Sequence, residues 1–160
     1  MLNVFRVSTT LPRKLEDHGV PPALVLRQAG LPPSLFDQEK ILVSTEELFA
    51  LYRGIAGASA DPAIGLKLGA EDRFERYDPL TVAAVSSRSL RDGLQRLARY
   101  KQLTCPEAVD VEERGDEARV QFRWLLAEET EPAVLTDLCF AAVVRIAHRG
   151  PGGGRESRTS

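Results

Sequence analysis

Apolar side chains recur along this chain at two periods, and the change from one to the other comes after Leu103. Before it, Leu48, Leu51, Tyr52 and Ile55 fall at i, i+3, i+4 and i+7, which is one face of a helix. Ser44 and Glu47 stand just ahead with the spacing of a capping box. Leu90, Leu94, Leu97 and Ala98 repeat the helical pattern behind Ser89 and Asp92, a similar start. After Leu103 the chain alternates, first over Ala108–Glu112 and again over Ala118–Trp124, with Arg114-Gly115-Asp116 between. This predicts a hairpin whose Val109 and Val111 face inward against Val120, Phe122 and Trp124, leaving Arg119, Gln121 and Arg123 outward. A lone hairpin is marginal, so it must rest on helices or on further strands. From Pro132 to about Arg149 the helical period returns, with Leu135, Leu138, Cys139, Ala142 and Ile146 on one face. Val134, Phe140, Val143, Val144 and Ala147 cover much of the remainder, and a helix so apolar needs partners on more than one side.

Shorter elements are read from their ends. Ser8, Thr9 or Thr10 caps a first helix over 8–19 that stops at Gly19, and a second runs from Pro22 to Ala29 and stops at Gly30. Pro32-Pro33 opens a turn of helix through Leu35 and Phe36, and Ile41-Leu42-Val43 is a brief extended lead-in. Asp61-Pro62 reads as N-cap and first helical position of a short helix carrying Ile64, Leu66 and Leu68, with Gly69 closing it in a left-handed conformation. Asp78-Pro79 repeats that start, and the apolar run from Leu80 to Val85 is expected to be buried on most sides. The class is α+β: a mainly helical domain over 1–149 with a small antiparallel hairpin packed on helices. Residues 150–160, rich in glycine, read as a flexible tail.

Composition narrows function mostly by exclusion. The length of 160 residues suits one domain, and a net charge of −2 gives no bias towards nucleic acid or anionic membranes. No apolar run approaches the ~20 residues of a membrane span. The first residues lack the apolar stretch of a signal peptide, so the cytoplasm is the expected compartment. Cys105 and Cys139 lack C-x-x-C spacing and read as reduced, buried thiols rather than a disulfide. His18 and His148 each end a helix, and no hydrolase, metalloprotease or P-loop pattern occurs. No catalytic residue, metal or cofactor is therefore expected, and no enzymatic activity.

Two segments invite a nucleic-acid reading. Val20–Gln38, centred on Ala29-Gly30-Leu31, has the outline of a helix-turn-helix that would offer Ser34, Asp37, Gln38 and Lys40 to bases. Asp37 and Glu39 would repel phosphates, so an ordinary helical hairpin is the better reading. Arg88, Arg91, Arg96, Arg99 and Lys101 cluster near the 89–103 helix, but Asp92 sits among them and a solvated face accounts for them. Tyr52, Tyr100, Phe122 and Trp124 are the candidates to line a ligand pocket, each weighed against an ordinary core role.

Residues along much of the chain resemble the N-terminal effector domain of AraC/XylS-type bacterial transcription regulators, in a branch with members named for ornithine or arabinose use. The residues that carry the resemblance are Gly30-Leu31-Pro32 with Leu35 and Asp37, Asp61–Leu66 through Gly69, Ser86-Ser87, Ser89-Leu90, Gly93-Leu94 and Leu97–Tyr100. It extends over roughly 5–149 and implies a sensing and oligomerising module that binds a small-molecule effector. Such regulators continue into a helix-turn-helix DNA reader that resembles nothing here, so no direct DNA binding is expected. The partners implied are the effector and a second copy or a related regulator; a fragment acting only through such pairing is the alternative. A module cut short is also expected to expose an apolar patch at Val143, Val144 and Ala147.

Overall fold

The Ser44–Glu47 spacing becomes a complete capping box in the structure, a computed structural model that describes residues 3–70 and 79–149. The Ser44 hydroxyl accepts the Glu47 N–H at 3.1 Å, and Glu47 Oε1 accepts the Ser44 N–H at 2.9 Å. Two of the donors that a helix start leaves without partners are thereby satisfied. The helix that follows, Thr45–Ala58, buries Leu48, Phe49, Leu51, Tyr52 and Ile55.

In chain order the elements are β1 (Phe5–Val7), α1 (Leu11–Asp17), α2 (Pro22–Ala29), β2 (Ile41–Val43), α3 (Thr45–Ala58), α4 (Ile64–Gly69), α5 (Pro79–Val85), α6 (Leu90–Thr104), β3 (Glu107–Arg114), β4 (Glu117–Trp124) and α7 (Ala133–Arg149). The domain is α+β and mainly helical, as expected. A 3-10 turn over Leu35–Asp37 precedes β2, so no recognition helix follows Gly30, and Ser34, Asp37, Gln38 and Lys40 are simply exposed. Both α1 and α2 end in Schellman motifs. The Val20 N–H reaches the Leu15 carbonyl and the Leu31 N–H that of Leu26, with Gly19 and Gly30 at φ 71° and 69°. Glycine adopts that conformation without the clash a Cβ would bring.

Several expectations need correction. The first helix spans Leu11–Asp17 rather than 8–19, because Ser8 and Thr10 bond each other in a turn ahead of it and no side chain caps it. Asp61 is likewise not the N-cap of α4: its Oδ1 accepts the Ala63 N–H at 2.9 Å in a turn ahead of the helix, which begins at Ile64 rather than at Pro62. Gly69 is not a left-handed terminator but a contact surface, since a Cβ there would lie 2.3 Å from the Leu138 carbonyl oxygen of α7. Gly65 meets the Val134 carbonyl in the same way. Of α5, Thr81 and Ala84 are buried while Val82, Ala83 and Val85 are half-buried, so it is less enclosed than its composition suggested. The proposed cap Asp78 and the 150–160 tail lie outside the described residues.

The strands form two separate antiparallel pairs. β1 pairs with β2, with Phe5 opposite Val43 and Val7 opposite Ile41; these four are buried, and Arg6 and Leu42 face solvent. β3 pairs with β4 across the two-residue turn Gly115-Asp116, with Val109 opposite Phe122 and Val111 opposite Val120, the register that alternation predicted. Trp124, at the end of β4, sits between Phe5 and Phe49, with ring centroids at 5.7 and 5.5 Å.

Helix α7 finds the partners its apolar surface required. Val134 and Leu135 enter the larger core, built from β1, β2 and α1–α4, and Ile146 enters a smaller one with Ala84, Leu97 and Val109. The patch expected at Val143, Val144 and Ala147 is not formed, because all three are half-buried; the exposed large apolar residue of α7 is Phe140.

Candidate functional site

Between the two cores lies a cavity of about 240 Å³. The inward end of the β3–β4 hairpin forms one wall, α3 and α7 form others, and β1, α1, α4, α5 and α6 complete it. Each element contributes the face its periodicity turns inward. From α7 these are Leu135, Leu138, Cys139, Ala142 and Ile146, the whole face read from the sequence, and beside them Val143 and Arg145.

Of the four aromatic candidates, Tyr52, Phe122 and Trp124 line this cavity. Tyr100 does not: it is 45% exposed on α6, and the inward position belongs to its neighbour Lys101, about 100° further round the helix. The two histidines are exposed and neither lines the cavity.

A buried ion pair is what the sequence reading missed. Lys101 Nζ lies 3.1 Å from Glu107 Oε2, and the Glu107 side chain is 2% exposed. The other carboxylate oxygen, Oε1, is buried and has no hydrogen-bond partner. A signal for this existed: Glu107 precedes Val109 and Val111 by two and four residues, so strand alternation already placed it on the inward face. Lys101 instead belongs, by sequence, to the basic cluster with Arg96 and Arg99 that reads as a solvated face. On the same cavity wall Arg145 Nη2 donates to the Thr81 hydroxyl at 3.4 Å.

The electrostatics of the cluster favour protonated, unreactive groups. Burial first, then the nearby Glu107 carboxylate, push the Cys139 thiol up to about 12. Burial also raises Cys105. Burial, with Cys139 and Glu107 adding to it against Lys101, raises the Tyr52 phenol. Burial alone would lower Lys101, but the Glu107 carboxylate reverses this and holds the ammonium above its ordinary range. Thiols kept protonated in this way are poor nucleophiles. Among the described residues no His, Cys, Asp and Glu gather in a group of three or more suited to a metal.

These shifts predict a loss of stability in alkali. The folded chain keeps protons on Cys139, Tyr52 and Lys101 at pH values where the unfolded chain releases them, so rising pH favours unfolding. The decline starts near the ordinary thiol value of 9.0 and continues towards 12. Each group adds a slope of up to about 1.4 kcal/mol per pH unit. Urea unfolding at pH 8 and pH 10.5 checks this; equal midpoints would contradict the burial of the cluster.

No described helix is long and apolar enough to cross a membrane. Residues 19–155 of the 160 match the family described as the arabinose-binding domain of AraC transcription regulators, N-terminal. No curated protein matches the chain.

Proposed function

This chain belongs to the family of arabinose-binding N-terminal domains of AraC transcription regulators, and on that premise we propose that the cavity between the two cores is where it takes a small-molecule effector. The family makes it a ligand-sensing regulatory domain. The observation that carries the assignment of the site is the cavity itself, apolar for most of its wall and holding one buried, half-satisfied carboxylate. Ligand pockets generally combine such walls with a few polar groups that fix orientation.

The position of the cavity suggests how occupancy becomes a signal. A molecule held there touches α3 and β1 of the larger core, α5 and α6 of the smaller one, and α7, which belongs to both. A ligand shifts a conformational equilibrium only through contacts that differ between the states. A molecule that bridges both cores favours the arrangement in which they close on it. Self-association belongs to the same reading, with the exposed Leu103, Leu125 and Leu126 as surface available for it. Sedimentation with and without ligand tests that part.

Thermal unfolding against a panel of small molecules tests the site, with fluorescence of the single tryptophan, Trp124, as a second reading from the cavity wall. A true ligand stabilises the native state by roughly 2.7 kcal/mol at a hundredfold excess over its dissociation constant. Ala142→Leu, which places a larger side chain on the lining, should keep the fold and remove both responses. Retention of the full ligand response in that variant would move the site elsewhere.

A further inference from the structure

We propose that the free edge of β4 pairs with the same edge of a second copy, antiparallel and centred on Val120, so that two hairpins become one four-stranded sheet. This gives a surface to the self-association read above and rests on it. Among the described residues β4 pairs with β3 alone, and α6 packs along β3. A strand open on one side presents N–H and C=O groups as a template for another chain, and proteins guard such edges with lysine, proline, a bulge or an inward-pointing charge. β3 is guarded by Pro106 just ahead of it and by Glu113, which shares the face of Val109 and Val111. β4 has none of these devices over Glu117–Trp124, and its register with β3 runs without a bulge.

The two-residue turn Gly115-Asp116 fixes which backbone groups of β4 point outward. Arg114 and Glu117, which close the turn, form a hydrogen-bonded pair. Alternation along an antiparallel ladder then directs Arg119 and Gln121 to β3 as well. The N–H and C=O groups of Ala118, Val120 and Phe122 face the open side. Centred on Val120, they meet the partner's Phe122, the partner's Val120 and the partner's Ala118 in about six main-chain hydrogen bonds.

The same register suits the side chains. On the inner face Val111 and Val120, both half-buried, line up in one row with the partner's Val120 and the partner's Val111. On the outer face Glu117 comes opposite the partner's Arg123, and Arg119 opposite the partner's Gln121. Arg123 gives Nε and Nη2 to Asp110 of its own hairpin, at 2.5 and 3.2 Å, which leaves Nη1 for this contact. A centre at Arg119 or Gln121 would instead set arginine against arginine, which is destabilising. β3 cannot serve in the same way, because every centre from Asp110 to Glu113 sets acid against acid.

Sedimentation of the full chain, of Glu117→Arg and of Arg123→Glu tests the register. The natural chain should dimerise. Each variant sets like charges across the interface twice, so its dimer dissociation constant should rise roughly tenfold to thirtyfold. An equimolar mixture of the two variants regains both opposite-charge pairs and should dimerise as the natural chain does. A natural chain that stays monomeric would remove self-association together with this surface. A dimer that neither variant weakens, or that mixing does not restore, would overturn the β4 pairing and leave self-association standing. Species growing beyond the dimer would place β3 against β4 of the next copy, an open-ended contact, and would overturn it too. Val120→Cys gives an independent reading. Directly opposed Cα atoms stand ~5.5 Å apart, within disulfide range, so oxidation should link the copies. Glu117→Cys, whose twin would lie six residues along the strand and ~20 Å away, should not link them. Equal linking at both positions would overturn the register.

Discussion

Phe49→Ala is expected to cost about 4 kcal/mol and to lower the thermal midpoint on the order of 10 °C. Phe49 is 1% exposed in the larger core, and its ring meets Trp124 nearly edge-on at 83°. Truncation removes the transfer energy of the ring and leaves a void that the capped, rigid α3 cannot collapse to fill. It also takes away one of the two rings that fix Trp124, so ligand affinity should fall with stability. Phe49→Leu keeps most of the volume and should cost much less. Equilibrium urea unfolding of the three proteins measures the effect. A loss below about 1.5 kcal/mol for the alanine variant would mean that the neighbouring side chains close the gap, and that Trp124 is held mainly by Phe5.

Gly69→Ala should destabilise by about 2–3 kcal/mol, although alanine is the better helix former by ~1 kcal/mol. Its Cβ would stand 2.3 Å from the Leu138 carbonyl oxygen and 2.8 Å from the Ala141 Cβ. A backbone oxygen cannot rotate aside, so α4 has to move off α7. Gly65→Ala meets the Val134 carbonyl at 2.3 Å and should behave alike, while the double variant should cost less than the sum, since one displacement relieves both contacts. Gly57→Ala in α3 is the control. The atom it would approach, at 2.3 Å, is the end of the flexible Gln28 side chain, so the substitution should be neutral or stabilising. Equal effects at Gly57 and Gly69 would show that helix propensity, rather than the α4–α7 approach, governs these sites.

How much of this could be read from the chain depended on whether the cause was local. The capping box at Ser44, the core face of α3, the hairpin register and the inward face of α7 are periodic or adjacent in sequence, and each appears as expected. β1 was passed over because three residues are too few to establish alternation, and its partner β2 is distant along the chain. Gly69 carried the signal of a helix end but is needed for an approach between two helices, which no local pattern encodes. The candidate site shows the same division. Tyr52, Phe122 and Trp124 stand on predicted inward faces, whereas Tyr100 was chosen for its chemistry although its helix turns it to solvent. Glu107 and Lys101 were hidden because charged residues are ordinarily exposed, and only their pairing across a bend in the chain makes burial tolerable.

One helix has its first residues in the larger core and its last in the smaller, since Val134 and Leu135 belong to one and Ile146 to the other. Amide hydrogen exchange turns this into a gradient along α7. The smaller core, with Ala84, Leu97, Val109 and Ile146, has far fewer buried apolar residues than the larger and is expected to open at lower free energy. The amides near Ile146 should therefore exchange with those of α5 and β3, while those near Leu135 should keep the slow exchange expected of α3. A molecule seated between the cores, as proposed, should retard the first group more than the second, and α7 alone would then record how firmly occupancy ties the two halves together.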